Sequence, residues 1–162
     1  MIRPAVPGDA PAILRVRLAS WEAAYGPYLP AHVWDELRAR WTPDRTARSI
    51  ADGTLRVLVA DVDSEVRAYV MFGPGRDDDQ PSAGEVYALY ADPQHWSTGL
   101  GRALLRSAVD ALGTSPVMLW VLEVNARARR FYERAGFVWD GSRKDAELPG
   151  EVLLPELRYR LG

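Results

Sequence analysis

The chain has 162 residues, 48% of them hydrophobic and 26% charged, which suits one domain with a sizeable core and excludes two full domains, a disordered tract or a fibrous repeat. Twenty basic residues stand against 22 acidic ones, so no global field draws the chain to nucleic acid or an anionic membrane. The absence of cysteine excludes disulfides, thiolate metal sites and a cysteine nucleophile. The opening MIRPAVPGDAPAILRVR lacks the apolar core of a signal peptide, and no stretch approaches the ~20 apolar residues of a membrane span. The expectation is a cytoplasmic protein.

Met1–Ala5 is a short apolar strand, and Asp9 stands where an N-cap would accept amide hydrogens of a following helix over Ala10–Ala24. Gly26-Pro27 interrupts that helix. A second helix is expected over Ala31–Trp41, and Thr42-Pro43 caps and opens a third that runs to Ala51. Leu55–Asp61 and Val66–Phe72 are apolar runs joined by a short polar turn, which reads as a hairpin. Gly73–Gly84 is a polar loop. From Glu85 the pattern alternates: strand Glu85–Ala91, turn Asp92–Thr98, helix Gly99–Leu112, strand Val117–Leu122, helix Ala126–Ala135. Gly136 ends the last helix in the left-handed conformation. Phe137–Trp139 starts another strand and Leu153–Leu161 supplies the last. The sum is a single α/β (α+β) domain over residues 1–162, a mixed sheet of six or seven strands with helices on its faces.

The most informative stretch is Trp96-Ser97-Thr98-Gly99-Leu100-Gly101-Arg102-Ala103. Glycines in the first turn of a helix leave backbone amides uncovered, and with the helix dipole they suit a pyrophosphate. A P-loop would need Gly-Lys-Ser/Thr, where this chain has Gly101-Arg102-Ala103. A dinucleotide fingerprint would need a third glycine where Leu104 stands. The plain alternative is that Gly99 and Gly101 only allow close packing of helix on strand.

Trp96-x-x-Gly99-x-Gly101, followed by Asn125-Ala-Arg-Ala-Arg-Arg-Phe-Tyr132-Glu-Arg-Ala-Gly136-Phe137, resembles the GCN5-related N-acetyltransferase (GNAT) superfamily over about Glu85–Trp139. Trp96 stands where the family pattern has Gln or Arg. The resemblance implies a mostly antiparallel sheet around a central β-α-β-α unit that binds acetyl-CoA. It implies that the turn from Trp96 through Ala103 holds the pyrophosphate, and that the backbone of Leu89, Tyr90 and Ala91 pairs with pantetheine and polarises the thioester carbonyl. It also implies that Asn125, besides capping its helix, bonds the CoA arm. Arg129, within the run Arg127, Arg129 and Arg130, is a candidate for a CoA phosphate, although such a run is also what a solvated helix face looks like.

Acetyl transfer to an amine needs a deprotonated nucleophile, a polarised carbonyl and a proton for the departing thiolate. Tyr132 matches the family's general acid: a phenol of pKa about 10 stays protonated at neutral pH and can protonate a thiolate whose conjugate acid lies near 8.5. Glu85 matches, by position, a glutamate that some members use as general base through water. No metal is expected, since His32 and His95 are the only histidines, and Asp77-Asp78-Asp79 lacks the glycine and closing Glu of a calcium loop.

The acceptor side is expected in the first two helices and the late strands. There Trp21, Tyr25 and Tyr28 are the candidate pocket residues, with Glu22, Trp34 and Asp35 nearby. Aromatic walls with carboxylates suit a cationic amine. The leading expectation is a small-molecule primary amine attacking acetyl-CoA directly; a peptide or protein N-acetyltransferase and a non-catalytic CoA-binding module are the alternatives. A monomer or homodimer is expected, with no nucleic acid or membrane partner.

Overall fold

The computed structural model describes residues 1–162 throughout. In chain order they form β1 (Ile2–Pro4), α1 (Ala10–Tyr25), α2 (Ala31–Arg40), α3 (Pro43–Ala51), β2 (Arg56–Val62), β3 (Glu65–Pro74), β4 (Gly84–Ala91), α4 (Leu100–Leu112), β5 (Val117–Leu122), α5 (Ala126–Arg134), β6 (Val138–Leu148) and β7 (Val152–Leu161). One seven-stranded sheet runs in the order β1-β2-β3-β4-β5-β7-β6. Every neighbouring pair is antiparallel except β4 and β5.

Alternation along the strands divides the core between the two faces. One face carries α4 and α5: Val70, Phe72, Val86, Leu119, Leu157 and Tyr159 pack with Leu104, Leu105, Ala108 and Tyr132. The opposite face carries α1, whose Ile13 and Val16 meet Val57, Val59, Tyr69 and Met71. A third cluster joins Trp21, Tyr25, Val33 and Leu37 of the first two helices to Leu122 and to Ala146, Leu148, Val152 and Leu154 of the β6–β7 hairpin. That cluster places α1 and α2 over the carboxyl end of β5.

The hairpin between β2 and β3 turns on Asp63 and Ser64, both at positive φ (51° and 64°), the pattern of a tight hairpin whose twist matches its strands. Two expected caps differ from the sequence reading. Asp9 makes no side-chain bond to α1; its carboxylate instead accepts from the Val6 amide and pairs with Arg3. Thr42 likewise makes no cap bond to α3. The expected loop over Gly73–Gly84 shrinks, because β3 continues to Pro74 and β4 begins at Gly84. β6 extends to Leu148, well beyond the Phe137–Trp139 start, because an edge strand of polar residues is fixed by pairing with β7 and not by its own apolar pattern.

The feature that makes the site lies between β4 and β5. Their parallel pairing covers only Gly84–Val86 against Val117–Leu119. Just beyond it, β4 carries a bulge: Met71 opposes Ala88 while Phe72 opposes Val86, leaving Tyr87 as the extra residue. Bulges bend a strand and increase its twist. From Ala88 to Ala91, β4 keeps β3 on one side and has no strand on the other.

Candidate functional site

The parting of β4 and β5 opens a cleft of about 1450 Å³. It passes between the face of α4 and α5 and the face of α1. Its floor includes the free edge of β4, where unpaired backbone groups can receive an extended ligand as a further strand would.

At one end stands the glycine turn. The Trp96 indole donates to the Ala91 carbonyl at 2.9 Å, and the Thr98 hydroxyl donates to the His95 carbonyl at 2.6 Å, so the turn is tied to the end of β4. Ser97 (φ 64°) and Gly99 (φ 94°) both take the left-handed conformation. The side-chain position at Gly99 meets nothing within 4 Å. The amides of Leu100, Gly101 and Arg102 have no intrahelical acceptor; the Ala103 amide already donates to the Gly99 carbonyl at 3.0 Å. Open amides at a helix N-terminus fit an anionic ligand such as a pyrophosphate.

Leu89, Tyr90, Ala91, Trp96, Ser97, Gly99, Gly101, Arg102 and Asn125 line the cleft, while Thr98, Leu100, Ala103 and Arg129 do not. Leu100 packs against the α4 core. Arg129 is turned away for a plain reason of helical phase: its guanidinium donates to the Tyr159 hydroxyl at 3.2 Å and the Glu123 carbonyl at 3.3 Å. The cleft face of α5 carries Arg127, Arg130 and Arg134 instead. Arg127 lies 3.9 Å over the Trp96 ring and braces the turn from the side.

At the centre, Tyr132 is 9% exposed and packs edge-on against Phe131 and Phe137. Burial first, then the neighbouring Tyr90 and Tyr25, pushes its phenol well above the ordinary value, so it holds its proton. Asn125 caps α5 by accepting from the Ala128 amide at 3.0 Å and donates to the Tyr25 hydroxyl at 2.8 Å.

The side of the cleft where the acceptor is expected carries an aromatic wall. Trp21 meets Tyr25 and Trp41 edge-on at 4.7 and 5.1 Å. Trp21 and Tyr25 are buried and also serve the core, whereas Tyr28 is 54% exposed at the rim. Glu85 is buried at the start of β4 and is fully engaged. It accepts from the Arg76 amide (2.9 Å), from Arg76 Nε (3.2 Å) and from Arg76 Nη2 (2.7 Å). The expectation of Glu85 as base therefore meets a structural objection, because both carboxylate oxygens are committed to one guanidinium.

Glu156 was not singled out from the sequence. It sits on β7 facing the same cleft, its side chain 18% exposed, with Lys144 Nζ at 3.7 Å as its nearest cation. Burial raises its pKa against the opposing pull of Lys144 and Arg76. The available signal was a lone acidic residue inside the apolar run Leu153-Leu154-Pro155-Glu156-Leu157. No three His, Asp or Glu side chains gather as metal ligands, and no helix is long and apolar enough to cross a membrane.

Residues 14–137 match the model of the acetyltransferase (GNAT) family. The chain is 27% identical over 162 residues to "Probable N-acetyltransferase Rv2775" of Mycobacterium tuberculosis, covering 99% of this chain and 92% of that one. A mycothiol acetyltransferase of Kocuria rhizophila is 44% identical over 62 residues, 36% of this chain and 20% of that protein. Among solved structures, the fold is similar to the PaiA N-acetyltransferase of Thermoplasma acidophilum in complex with coenzyme A (TM-score 0.75, 20% identity, 96% of both chains). It is also similar to YncA of Salmonella typhimurium with acetyl-CoA (TM-score 0.74, 21% identity, 99% of this chain and 92% of that one).

Proposed function

The chain belongs to the GNAT family of acetyl-CoA-dependent acetyltransferases, and on that premise we propose that its acceptor is the primary amine of a small molecule. The observation that carries this reading is the roof over the acceptor side. α1 and α2 are packed onto the β6–β7 hairpin through one apolar cluster, and α2 presses so close that a side chain at Gly150 would meet His32 Nε2 at 2.7 Å. A polypeptide acceptor needs an open groove along its length; a roofed cleft favours a compact one.

In this reading the amine enters beneath Tyr25 and loses its proton to Glu156, while Glu85 holds Arg76 at the edge of the cleft. The amine nitrogen attacks the thioester carbonyl and a C–N bond forms; as the C–S bond breaks the nitrogen releases its second proton to solvent, leaving the neutral amide. In this reading the outward-facing backbone amides among Leu89–Ala91, on the free edge of β4, polarise the carbonyl oxygen. Tyr132, which its burial keeps protonated and which lines the cleft, gives its proton to the departing thiolate. Asn125 and the amides of Leu100–Arg102 hold the donor along the free edge of β4.

The test is a panel of primary amines with acetyl-CoA, read as release of free thiol. Turnover with compact amines supports the reading. Acetylation of unstructured peptides with no turnover of any compact amine overturns it.

A further inference from the structure

The acceptor wall carries more hydrogen-bond donors than acceptors. Arg17 lies on α1, on the face of the sheet opposite α4 and α5, and lines the cleft. Its guanidinium stacks 4.0 Å over the Trp41 ring. Neighbouring arginines have protein partners: Arg15 bonds Asp92 and the Val66 carbonyl, and Arg38 bonds Glu22. Arg17 has none, and its Nε is buried without an acceptor. One turn along the same helix, the buried Trp21 Nε1 also lacks an acceptor, and Trp21 lines the same cleft. Buried donors are nearly always satisfied in a finished structure, so two orphans on cleft-lining side chains one turn apart mark a place that a ligand acceptor completes.

We propose that the acceptor carries an anionic group, a carboxylate or a phosphate, and that Arg17, held flat by Trp41, binds it while the amine is presented at the centre of the cleft. A stacked guanidinium offers two parallel donors to either anion. The phosphates of CoA do not explain Arg17, because the cationic side chains near the glycine turn, Arg102, Arg127 and Arg130, belong to the other face. The acceptor side is then bipolar. Glu156 meets the ammonium, and Arg17 meets the anion. The proposal rests on the reading of the chain as a small-amine acetyltransferase and narrows its substrate class to amines that bear an acid.

Matched acceptors test it: β-alanine against β-alaninamide, and O-phosphoethanolamine against ethanolamine, each with saturating acetyl-CoA and initial rates of thiol release. Wild type should favour an anionic member by about tenfold or more in kcat/KM, the scale of one charge-assisted hydrogen bond; which pair responds distinguishes carboxylate from phosphate. Arg17→Gln, which keeps a polar side chain against Trp41, should erase that preference while melting temperature and CoA affinity stay at wild-type values. A second arm needs no turnover: N-acetyl-β-alanine or inorganic phosphate should raise the melting temperature of the CoA-saturated wild type and leave Arg17→Gln unmoved. Equal rates within both pairs, or a melting shift that persists in Arg17→Gln, would overturn the proposal. An Arg17-dependent shift without turnover of any amine would uphold the anion site and refute the small-amine reading instead.

Discussion

Asn125 donates from Nδ2 to the Tyr25 hydroxyl at 2.8 Å, linking residues one hundred positions apart and joining the end of α1 to the start of α5 across the cleft. The same Asn125 caps α5 through its other side-chain atom, so one amide couples the helix that carries Tyr132 to the end of α1.

This contact separates two tyrosines that look alike in sequence. Tyr25 is 5% exposed and Tyr28 is 54% exposed. Tyr25→Ala should cost about 3 kcal/mol or more of stability, as truncation of a buried aromatic does, and Tyr25→Phe about 1 kcal/mol, the net loss of one hydrogen bond. Tyr28→Ala should leave the melting temperature unchanged and raise the acceptor KM. Thermal unfolding and acceptor kinetics on the three variants check this, and equal destabilisation by Tyr25→Ala and Tyr28→Ala would contradict it.

The two carboxylates of the acceptor side should separate by pH profile. Glu156→Gln is expected to lower kcat/KM by about 10²-fold at neutral pH and to recover in alkali, where the amine is already deprotonated. Burial raises the Glu156 carboxyl against Lys144 and Arg76, with Asp77 adding to the rise, so the wild-type acid limb should lie above the ordinary glutamate range and vanish in the variant. Glu85→Gln should instead loosen Arg76 and leave the shape of the profile intact. Alkaline rescue of Glu85→Gln, with none for Glu156→Gln, would return the base to β4.

Much of the fold, and of the residues that line the cleft, is legible in the sequence. The glycine turn, Asn125 and Tyr132 are local signals: each acts through spacing along one helix or turn, and the strand-helix alternation from Glu85 onward fixes the central unit. The contacts of Glu85 and Arg129 and the position of Glu156 are not legible in the sequence, because they depend on long-range partners. Arg76 comes to Glu85 across a loop, Tyr159 draws Arg129 off the cleft, and Glu156 enters it only because β7 inserts between β5 and β6. The expected caps at Asp9 and Thr42 failed for the same reason at Asp9, where Arg3 competes for the carboxylate; nothing in the structure explains the bare Thr42.

Arg158 should prove structurally essential. Buried on β7, it bonds Asp140 at 2.6 Å, Asp77 at 3.0 Å and Asp79 at 2.7 Å, pinning the loop that carries Arg76, the partner of Glu85, to the sheet. Burial raises the Asp140 carboxyl, but its bonds from Ser142 and Arg158 outweigh this and hold it below the ordinary range. A depressed carboxyl stabilises the fold above its unfolded pKa, and the stabilisation is lost as pH falls through the folded value. Arg158→Met should therefore cost about 3 to 5 kcal/mol near neutrality and flatten the acid decline of stability. A stability curve parallel to wild type from neutral to acid pH would refute this.

Tyr132→Phe should keep the fold and CoA affinity while lowering turnover by about 10²- to 10⁴-fold, the usual contribution of a positioned acid. Because burial raises its phenol, wild-type kcat should show no loss assignable to Tyr132 ionisation up to about pH 10. Unchanged turnover in the variant, with chemistry limiting the rate, would leave the ring as packing alone.

The donor site is tested most directly by calorimetric titration of CoA into the wild type, Gly99→Asp and Gly101→Ala. Gly99 has room for a side chain but a left-handed backbone at φ 94°, so Gly99→Asp adds about 1 to 2 kcal/mol of strain and sets a carboxylate against the pyrophosphate. At Gly101 a methyl group would make only ordinary contact with Phe131 at 3.5 Å, so Gly101→Ala should fold at least as well as wild type. The account predicts saturable binding by wild type and Gly101→Ala, with about 2.7 kcal/mol of added stability at 100 times the dissociation constant, and none by folded Gly99→Asp. A folded wild type that binds no CoA, or a Gly99→Asp that binds it as tightly as wild type, would contradict it.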